Sequence, residues 1–291
     1  MGGPALVVLA NTLGRLPMGM LHRLSHALSV VLRTVVGYRQ EVVRANLARC
    51  FPDLDDAERH AIERRFYRHL TDQVVEGVKA FRLTRSEVVR RCRVLNPECL
   101  TPYADAGRSV LMVFGHTHNW EWPALAGPDQ IPHRLMAVYK PVKDAGIDAQ
   151  IVANRERFGA RLVAMRAVPR FYAGHPDEPY AAAFLADQNP TNPRHAHWPL
   201  FFGHRTAFLA GPARIARKYD LPVVYLDVRR VRRGHYALFL EDLVPEPTQV
   251  EEETITQRFA RRLEVAIRSE PHAWLWSHKR WKHDPERWID G

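Results

Sequence analysis

A short apolar run that ends in histidines and a carboxylate constrains this chain more than any other stretch. Val110–Phe114 carries no charge and is followed by a glycine, a pattern typical of a strand buried on both faces. His116 and His118 come next, and Glu121 stands five residues after His116. In open α/β sheets, functional groups collect at the carboxyl ends of the strands. The pattern is compatible with a histidine base and an orienting carboxylate, but a strand end whose polar side chains face water has the same local sequence and is the commoner case.

The composition is that of a globular protein with a strong positive charge. Of 291 residues, 46% are hydrophobic and 25% are charged, so the chain is long enough to bury a large core. The net charge of +10 predicts an anionic partner: nucleic acid, an anionic membrane surface, a phosphorylated lipid or an acidic carrier protein. The three cysteines lack metal-type spacing, which indicates a reducing compartment. The sequence contains no Gly-rich phosphate loop and no GxSxG motif, and we expect neither a metal nor a cofactor.

The first 36 residues combine apolar and basic positions at helical spacing. Leucines recur through residues 5–36, but Arg15, Arg23 and Arg33 interrupt the run, which is too charged for a transmembrane helix. The segment also lacks the pattern of a signal peptide. An amphipathic helix that lies in the membrane interface fits this spacing, and so does a helix packed on the protein's own core.

The periodicity changes once beyond this segment. Residues 37–100 have helical patterns, in which Asp55 and Asp56 open one predicted helix and Thr84 caps another. Residues 108–291 alternate short apolar runs with helical segments, which predicts an α/β fold. We expect a mixed, largely parallel sheet covered by helices on both faces, preceded by an N-terminal helical region and ending in an antiparallel edge hairpin. The expected organisation is a membrane-associating helix over 1–36 and a single α/β domain over 37–291.

Polar side chains follow a second predicted strand. Asp187 and Gln188 come directly after the apolar run 180–186 and are expected at the same sheet edge as His116. A helix cap or a turn residue is the alternative for Asp187. Arg155 lies late on a predicted helix, where a lone arginine is usually a surface residue.

The C-terminal stretch 271–283 interleaves three tryptophans with lysine, arginine and histidine. This mixture suits the headgroup zone of a membrane. It also suits stacking on single-stranded nucleic acid, or a segment that buries its indoles in the core.

Four motifs in a fixed order resemble those of the bacterial lipid A late acyltransferases, the lauroyl/myristoyl transferase family that also includes phosphatidylinositol mannoside acyltransferase. They are His116-Thr-His-Asn-Trp-Glu121, Leu185-Ala-Asp-Gln188, Pro199-Leu-Phe-Phe-Gly203 and Pro271-His-Ala-Trp-Leu-Trp-Ser-His-Lys-Arg-Trp-Lys282. The resemblance covers nearly the whole chain and implies a glycerolipid acyltransferase-like fold.

The resemblance implies an enzyme of lipid A and lipopolysaccharide biosynthesis on the cytoplasmic face of the inner membrane. Such an enzyme moves a fatty acyl chain from acyl carrier protein or acyl-CoA to a hydroxyl of a lipid A precursor. Two alternatives stay open, a different glycolipid or aminolipid acceptor and a non-catalytic basic membrane-binding protein. A nucleic-acid partner is not expected, because a binding module has no use for the His116/Glu121 pair.

The resemblance also implies roles for individual residues. His116 is the expected general base and Glu121 the carboxylate that orients it. Arg155, Asp187 and Gln188 are expected to bind substrate, and His118 competes with His116 for the role of base. Backbone N–H groups near residues 118–120, together with Arg155, are the expected oxyanion donors.

Overall fold

The structure is a computed structural model and describes residues 12–175 and 178–289. A seven-stranded sheet carries helices on both faces and follows a helical N-terminal region. The predicted α/β class, with a mixed and largely parallel sheet, is confirmed. Residues 1–11 of the predicted membrane-associating helix lie outside the described residues.

Four helices of the described chain precede the first strand, and two of them begin as the sequence predicts. They are α1 (Met18–Thr34), α2 (Gln40–Cys50), α3 (Asp56–Ala80) and α4 (Arg85–Arg91). Asp55 caps α3 and Thr84 caps α4, each in a reciprocal capping box with a glutamate three residues later. α1 packs along α3. No helix within 12–175 and 178–289 is long and apolar enough to cross a membrane.

The sheet is built from parallel strands and one late hairpin. The strands of the chain are β1 (Cys92–Val94), β2 (Val110–Phe114), β3 (Arg134–Tyr139), β4 (Arg161–Ala164), β5 (Tyr180–Leu185), β6 (Ala196–His197), β7 (Leu200–Phe201), β8 (His204–Arg205), β9 (Phe208–Leu209), β10 (Val223–Arg232) and β11 (His235–Val244). The order across the large sheet is β1-β11-β10-β2-β5-β3-β4, with only β10 and β11 antiparallel. β6 pairs with β9 and β7 with β8 in two short ribbons.

Further helices cover the two faces. They are α5 (Thr101–Asp105), α6 (Trp122–Ala126), α7 (Ala145–Glu156), α8 (Val168–Gly174), α9 (Gly211–Lys218), α10 (Glu252–Ser269) and α11 (Glu286–Ile289). Alternate side chains of β2 point to opposite faces, as strand geometry requires. Leu111 and Val113 join the core formed with α2, α8, α9 and α10, while Met112 and Phe114 join the core formed with α4 and α6.

Two predicted features of the sheet are wrong in detail. The region 37–100, expected to be helical, contains the strand β1. The late hairpin is not an edge, because β1 lies outside it and pairs in parallel, with Cys92 opposite Tyr236. A strand of three residues shows no periodicity, and its pairing partner lies far away in sequence, so no local pattern indicates it.

The C-terminal tryptophans belong to the interior. Trp274 and Trp276 are 2% and 0% exposed, and their rings meet edge to face. Trp281 stacks on Phe201 at 6.0 Å between ring centroids. The interpretation of these indoles as a membrane or nucleic-acid platform is therefore wrong for Trp274 and Trp276. A short bridge between Thr117 and Trp274 instead joins the C-terminal stretch to the segment after β2.

Candidate active site

The register of two central strands brings His116 and Asp187 together. β2 and β5 are parallel neighbours in which Phe114 is opposite Leu185, so residues two positions further along each chain leave the sheet side by side. The Nδ1 atom of His116 lies 2.5 Å from Oδ1 of Asp187. The backbone N–H of His116 donates to Oδ2 of the same carboxylate at 2.8 Å. Two strand ends separated by 71 residues thus form one pair.

The Asp187 carboxylate is buried and almost fully hydrogen-bonded. The indole N–H of Trp274 donates to its Oδ2 at 2.8 Å. A Cβ at Gly115 would come within 3.1 Å of this oxygen and within 2.5 Å of the Leu263 side chain, so any larger residue would have to displace one of them. Burial alone would raise the pKa of Asp187, but the adjacent His116 and the Trp274 donor lower it to about 2. The side chain is therefore an anion at every pH near neutrality.

An anionic Asp187 fixes the tautomer of His116. A carboxylate only accepts hydrogen bonds, so Nδ1 carries the proton of the neutral ring. Nε2 is then unprotonated, and its lone pair can accept a hydrogen bond or a proton. The carboxamide Nε2 of Gln188 lies 3.3 Å from His116 Nε2 and donates to it. Trp120 packs edge to face on the imidazole, with centroids 4.9 Å apart. The lone pair of His116 is therefore held at a defined place beside Gln188.

Glu121 has a different partner from the one expected. Its carboxylate receives three charged hydrogen bonds from Arg155, from Nε to Oε2 at 2.9 Å and from Nη2 to Oε1 and Oε2 at 2.6 and 2.5 Å. Within the described residues Glu121 makes no hydrogen bond to His116, and Asp187 takes the orienting position that the sequence analysis gave to Glu121. The geometric reason is that Glu121 lies at the start of α6 and faces α7, whereas Asp187 leaves the adjacent strand.

One of the backbone N–H groups expected as oxyanion donors is already engaged. The N–H of His118 donates to the carbonyl of Ala273 at 3.0 Å. Asn119 accepts from the N–H groups of Glu121 and Trp122 through Oδ1 at 3.2 and 3.1 Å. The helix α6 begins at Trp122. The N–H of His118 is therefore not free to stabilise an oxyanion formed beside His116.

His118 and His116 point to different surroundings. His118 is 4% exposed, adopts a left-handed backbone conformation with φ of 51°, and places Nε2 3.3 Å from Glu270. Its ring packs edge to face on the buried His69 at 5.3 Å. Of the two histidines only His116 lines the large cavity described next.

An apolar cavity of about 770 Å³ opens beside His116. It extends across one face of the sheet, beneath α6, and its walls come from all seven strands of the large sheet and from the segment after β5. His116, Glu121, Arg155 and Gln188 stand together among otherwise mainly apolar walls, which include Val94, Met112, Phe114, Leu135, Ala137, Ala164, Ala183, Leu185, Leu226, Leu238 and Leu240. Ligand pockets commonly have volumes of roughly 300–1,000 Å³, and a pocket with mainly apolar walls suits a hydrocarbon chain.

Comparison with known proteins identifies the family. The family model described as bacterial lipid A biosynthesis acyltransferase matches residues 5–283. The chain belongs to this family. It is also 24% identical over 276 residues to the lipid A biosynthesis lauroyltransferase of Escherichia coli (strain K12), an alignment that covers 94% of this chain and 88% of that protein. The protein is therefore an acyltransferase, and the resemblance noted in its motifs is confirmed.

For two residues near His116 and Asp187, the sequence did not predict the contacts that they make. Trp274 is a hydrogen-bond donor to Asp187, although its sequence context suggested a membrane. Arg280 is 1% exposed and donates to Asn189 and to the carbonyl of Ala207, which ties the segment after Gln188 to the C-terminal stretch. Burial lowers the pKa of Arg280 to about 9. Cations beside tryptophans were the only local signal, and that signal does not distinguish burial from exposure.

Proposed function

We propose that His116 is the general base of acyl transfer from a thioester donor to a hydroxyl of a lipid A precursor. The observation that carries this proposal is a histidine whose Nδ1 is bound by a buried carboxylate and whose Nε2 stands at an apolar cavity. Nε2 takes the hydroxyl proton while the hydroxyl oxygen attacks the thioester carbonyl. As the tetrahedral intermediate collapses, the C–O bond stays, the C–S bond breaks and the proton passes from His116 to the leaving thiolate.

Asp187 supports this step by stabilising the imidazolium that forms. A charge-assisted hydrogen bond to Nδ1 becomes stronger when the ring gains its second proton. The three cysteine thiols are not assigned a role, because burial raises the pKa of Cys50 and Cys92 and none lines the cavity. A direct attack by the acceptor hydroxyl therefore needs no covalent intermediate on the enzyme.

Gln188 and Arg155 are the proposed oxyanion donors. The Gln188 amide lies within hydrogen-bonding distance of His116 Nε2, and it must turn aside when the acceptor hydroxyl takes that place. Arg155 brings a positive charge to the same cavity, and its bidentate pairing with Glu121 fixes the plane of the guanidinium. We assign Glu121 to holding Arg155.

The donor carries its acyl chain into the apolar cavity. The side chain of Ala183 on β5 is part of the cavity wall opposite Met112 in register, roughly 13 Å along the strands from His116 at about 3.3 Å per residue. The related enzyme is a lauroyltransferase, so a lauroyl thioester is the first donor to test. Acyl carrier protein and coenzyme A are both anionic carriers that suit the net charge of +10.

Replacement of Ala183 by phenylalanine is expected to shorten the usable cavity. Each methylene that no longer finds apolar surroundings costs about 0.8 kcal/mol, so losing room for two lowers kcat/KM for the longest donors roughly tenfold. The measurement is kcat/KM across saturated acyl donors of increasing length. Short donors serve as the internal control and keep their rates. An unchanged length profile would exclude this cavity as the acyl site.

One face of α1 is the proposed membrane contact. Apolar side chains there recur on a single stripe and stay exposed in the described structure, with Leu24 at 51% and Val31 at 45%. Arg23 is exposed on the same helix and suits anionic headgroups. We propose that this stripe lies in the interface of the inner membrane on its cytoplasmic side, where lipid A precursors are acylated.

Replacing Leu24 and Leu28 together by glutamate is expected to weaken binding to phosphatidylglycerol vesicles at least about tenfold, because two apolar side chains no longer enter the interface. Vesicle co-sedimentation measures the loss, and soluble donor hydrolysis checks that the site is intact. The matched control is the double variant Val231→Glu with Val265→Glu, which places the same two charges at exposed apolar positions on β10 and α10. Equal loss in both variants would argue against α1 as the contact.

Transfer of a radiolabelled lauroyl chain to purified lipid A precursor tests the proposed reaction directly. Parallel assays with acyl carrier protein and coenzyme A thioesters identify the carrier. Mass spectrometry of lipid A from a deletion strain should then show species lacking one acyl chain. If lipid A is unchanged and another glycolipid loses a chain, the acceptor proposed above is wrong while the chemistry stands.

A further inference from the structure

A carboxylate outside the catalytic pair, Glu76 on α3, is completely buried and accepts four hydrogen bonds. Its Oε1 accepts from the imidazole of His22 at 3.1 Å and from the backbone N–H of Gly234 at 3.0 Å. Its Oε2 accepts from the amide of Asn119 at 2.8 Å and from the hydroxyl of Tyr236 at 2.6 Å. A carboxylate offers about four lone-pair directions, so these donors use its whole capacity.

The contact with Asn119 connects Glu76 to the segment that carries His116 and Glu121. While the Nδ2 of Asn119 donates to Glu76, its Oδ1 accepts from the backbone N–H groups of Glu121 and Trp122. The indole of Trp122 also donates to the backbone carbonyl of Glu76 at 3.3 Å. The side chain and the backbone of one residue therefore hold the segment that carries Glu121.

We propose that Glu76 is a positioning residue for acyl transfer, which fixes the segment 116–121 through Asn119. The inference rests on the function proposed above. Burying a carboxylate is costly unless hydrogen-bond donors satisfy its oxygens, and here the donors come from elements that need an acceptor at this place. Asn119 must turn its oxygen toward the N–H groups of Glu121 and Trp122, so its NH₂ group faces α3 and needs an acceptor there. Glu76 supplies that acceptor.

The substitution Glu76→Gln tests this at constant shape. In this variant an NH₂ group takes the place of one carboxylate oxygen. If it replaces Oε2 it faces the NH₂ group of Asn119, and if it replaces Oε1 it faces the imidazole of His22, so one of these two contacts is lost in either orientation. We expect kcat to fall at least roughly tenfold, with the KM for the acyl donor changing less than about twofold, because the chemical geometry is disturbed and the acyl cavity is not.

Asp72 provides a matched control on the same helix. It is also completely buried and accepts from Ser25, Arg230 and Arg233, but it makes no hydrogen bond to residues 116–121 in the described chain. Asp72→Asn therefore removes a comparable buried charge without touching the catalytic segment. We expect it to lower the melting temperature while kcat of the folded enzyme stays within about twofold of wild type.

Exchanging the two polar groups completes the test. The double variant Glu76→Gln with Asn119→Asp restores a donor facing an acceptor between α3 and the segment, and should recover most of the kcat that either single substitution loses. This pattern is a coupling that a general loss of stability does not produce. Equal kcat for Glu76→Gln and Asp72→Asn, or a double variant no better than the single ones, would overturn the proposal.

A substrate-free readout separates this inference from the proposed function. In nitrogen-15 NMR of the histidine rings, signals of His116, assigned by their absence in His116→Ala, should shift in Glu76→Gln and stay in place in Asp72→Asn. A wild-type enzyme without acyl transfer would sink the proposed function alone. Unshifted His116 signals in Glu76→Gln would sink the positioning role whatever the activity.

Discussion

Replacing His116 by alanine is expected to abolish acyl transfer while leaving the fold intact. Among the described residues that line the cavity, only His116 has an imidazole ring. Its Nδ1 is bound to the buried Asp187, so its Nε2, next to Gln188, can accept a proton at the cavity. Loss of a positioned general base typically costs 10²–10⁴-fold, and Asp187 acts through the same ring, so its contribution is lost with His116 and kcat should fall by about 10³-fold. Transfer of labelled acyl chains measures the effect, and circular dichroism checks the fold.

His118→Asn is the matched control for this substitution. Asparagine adopts the left-handed backbone conformation that His118 occupies, so the loop can keep its path. His118 contacts Glu270 and does not line the cavity, and we expect activity within a few-fold of wild type. Residual transfer in His116→Ala together with complete loss in His118→Asn would give the role of base to His118.

The carboxyl edge of the sheet, where His116 and Asp187 lie, could be predicted because the end of each of these strands is recognisable in the local sequence. Val110–Phe114 is apolar, uniformly buried and stopped by glycine, and each of these properties follows from a strand covered on both faces. Asp187 follows a similar run. Parallel strands present their carboxyl ends together, so convergence of His116 and Asp187 needed only that the two strands be in one sheet.

The partner of His116 could not be predicted in the same way. Glu121 is near in sequence, and a carboxylate five residues after a histidine invites the pairing. The actual partner depends on β2 and β5 being neighbours in register, which is a property of the whole sheet. The burial of Trp274 could not be predicted for the same reason. A segment distant in sequence covers this side chain, and the composition of the tryptophan-rich C-terminal stretch suits a membrane equally well.

The distinction between the two carboxylates has a measurable consequence. Asp187→Asn is nearly isosteric, but it places an amide beside His116 Nδ1. If the amide NH₂ group faces Nδ1, it donates there and drives the ring proton to Nε2, so the nitrogen at the cavity loses its lone pair. We expect kcat to fall on the order of 10³–10⁴-fold, the size of loss that accompanies the wrong histidine tautomer in hydrolases with the same arrangement.

Glu121→Gln separates the orienting role from the role of holding Arg155. The introduced amide still accepts one hydrogen bond from Arg155 but loses the charge and the bidentate geometry, while Asp187 continues to fix His116. Its loss in kcat should be roughly 10–100-fold, below that of Asp187→Asn. Steady-state kinetics of both variants in one acyl-transfer assay decide the matter. A nearly active Asp187→Asn beside an inactive Glu121→Gln would mean that Glu121 reorients His116 when substrate binds, because the Asp187 contact would then be dispensable for proton transfer.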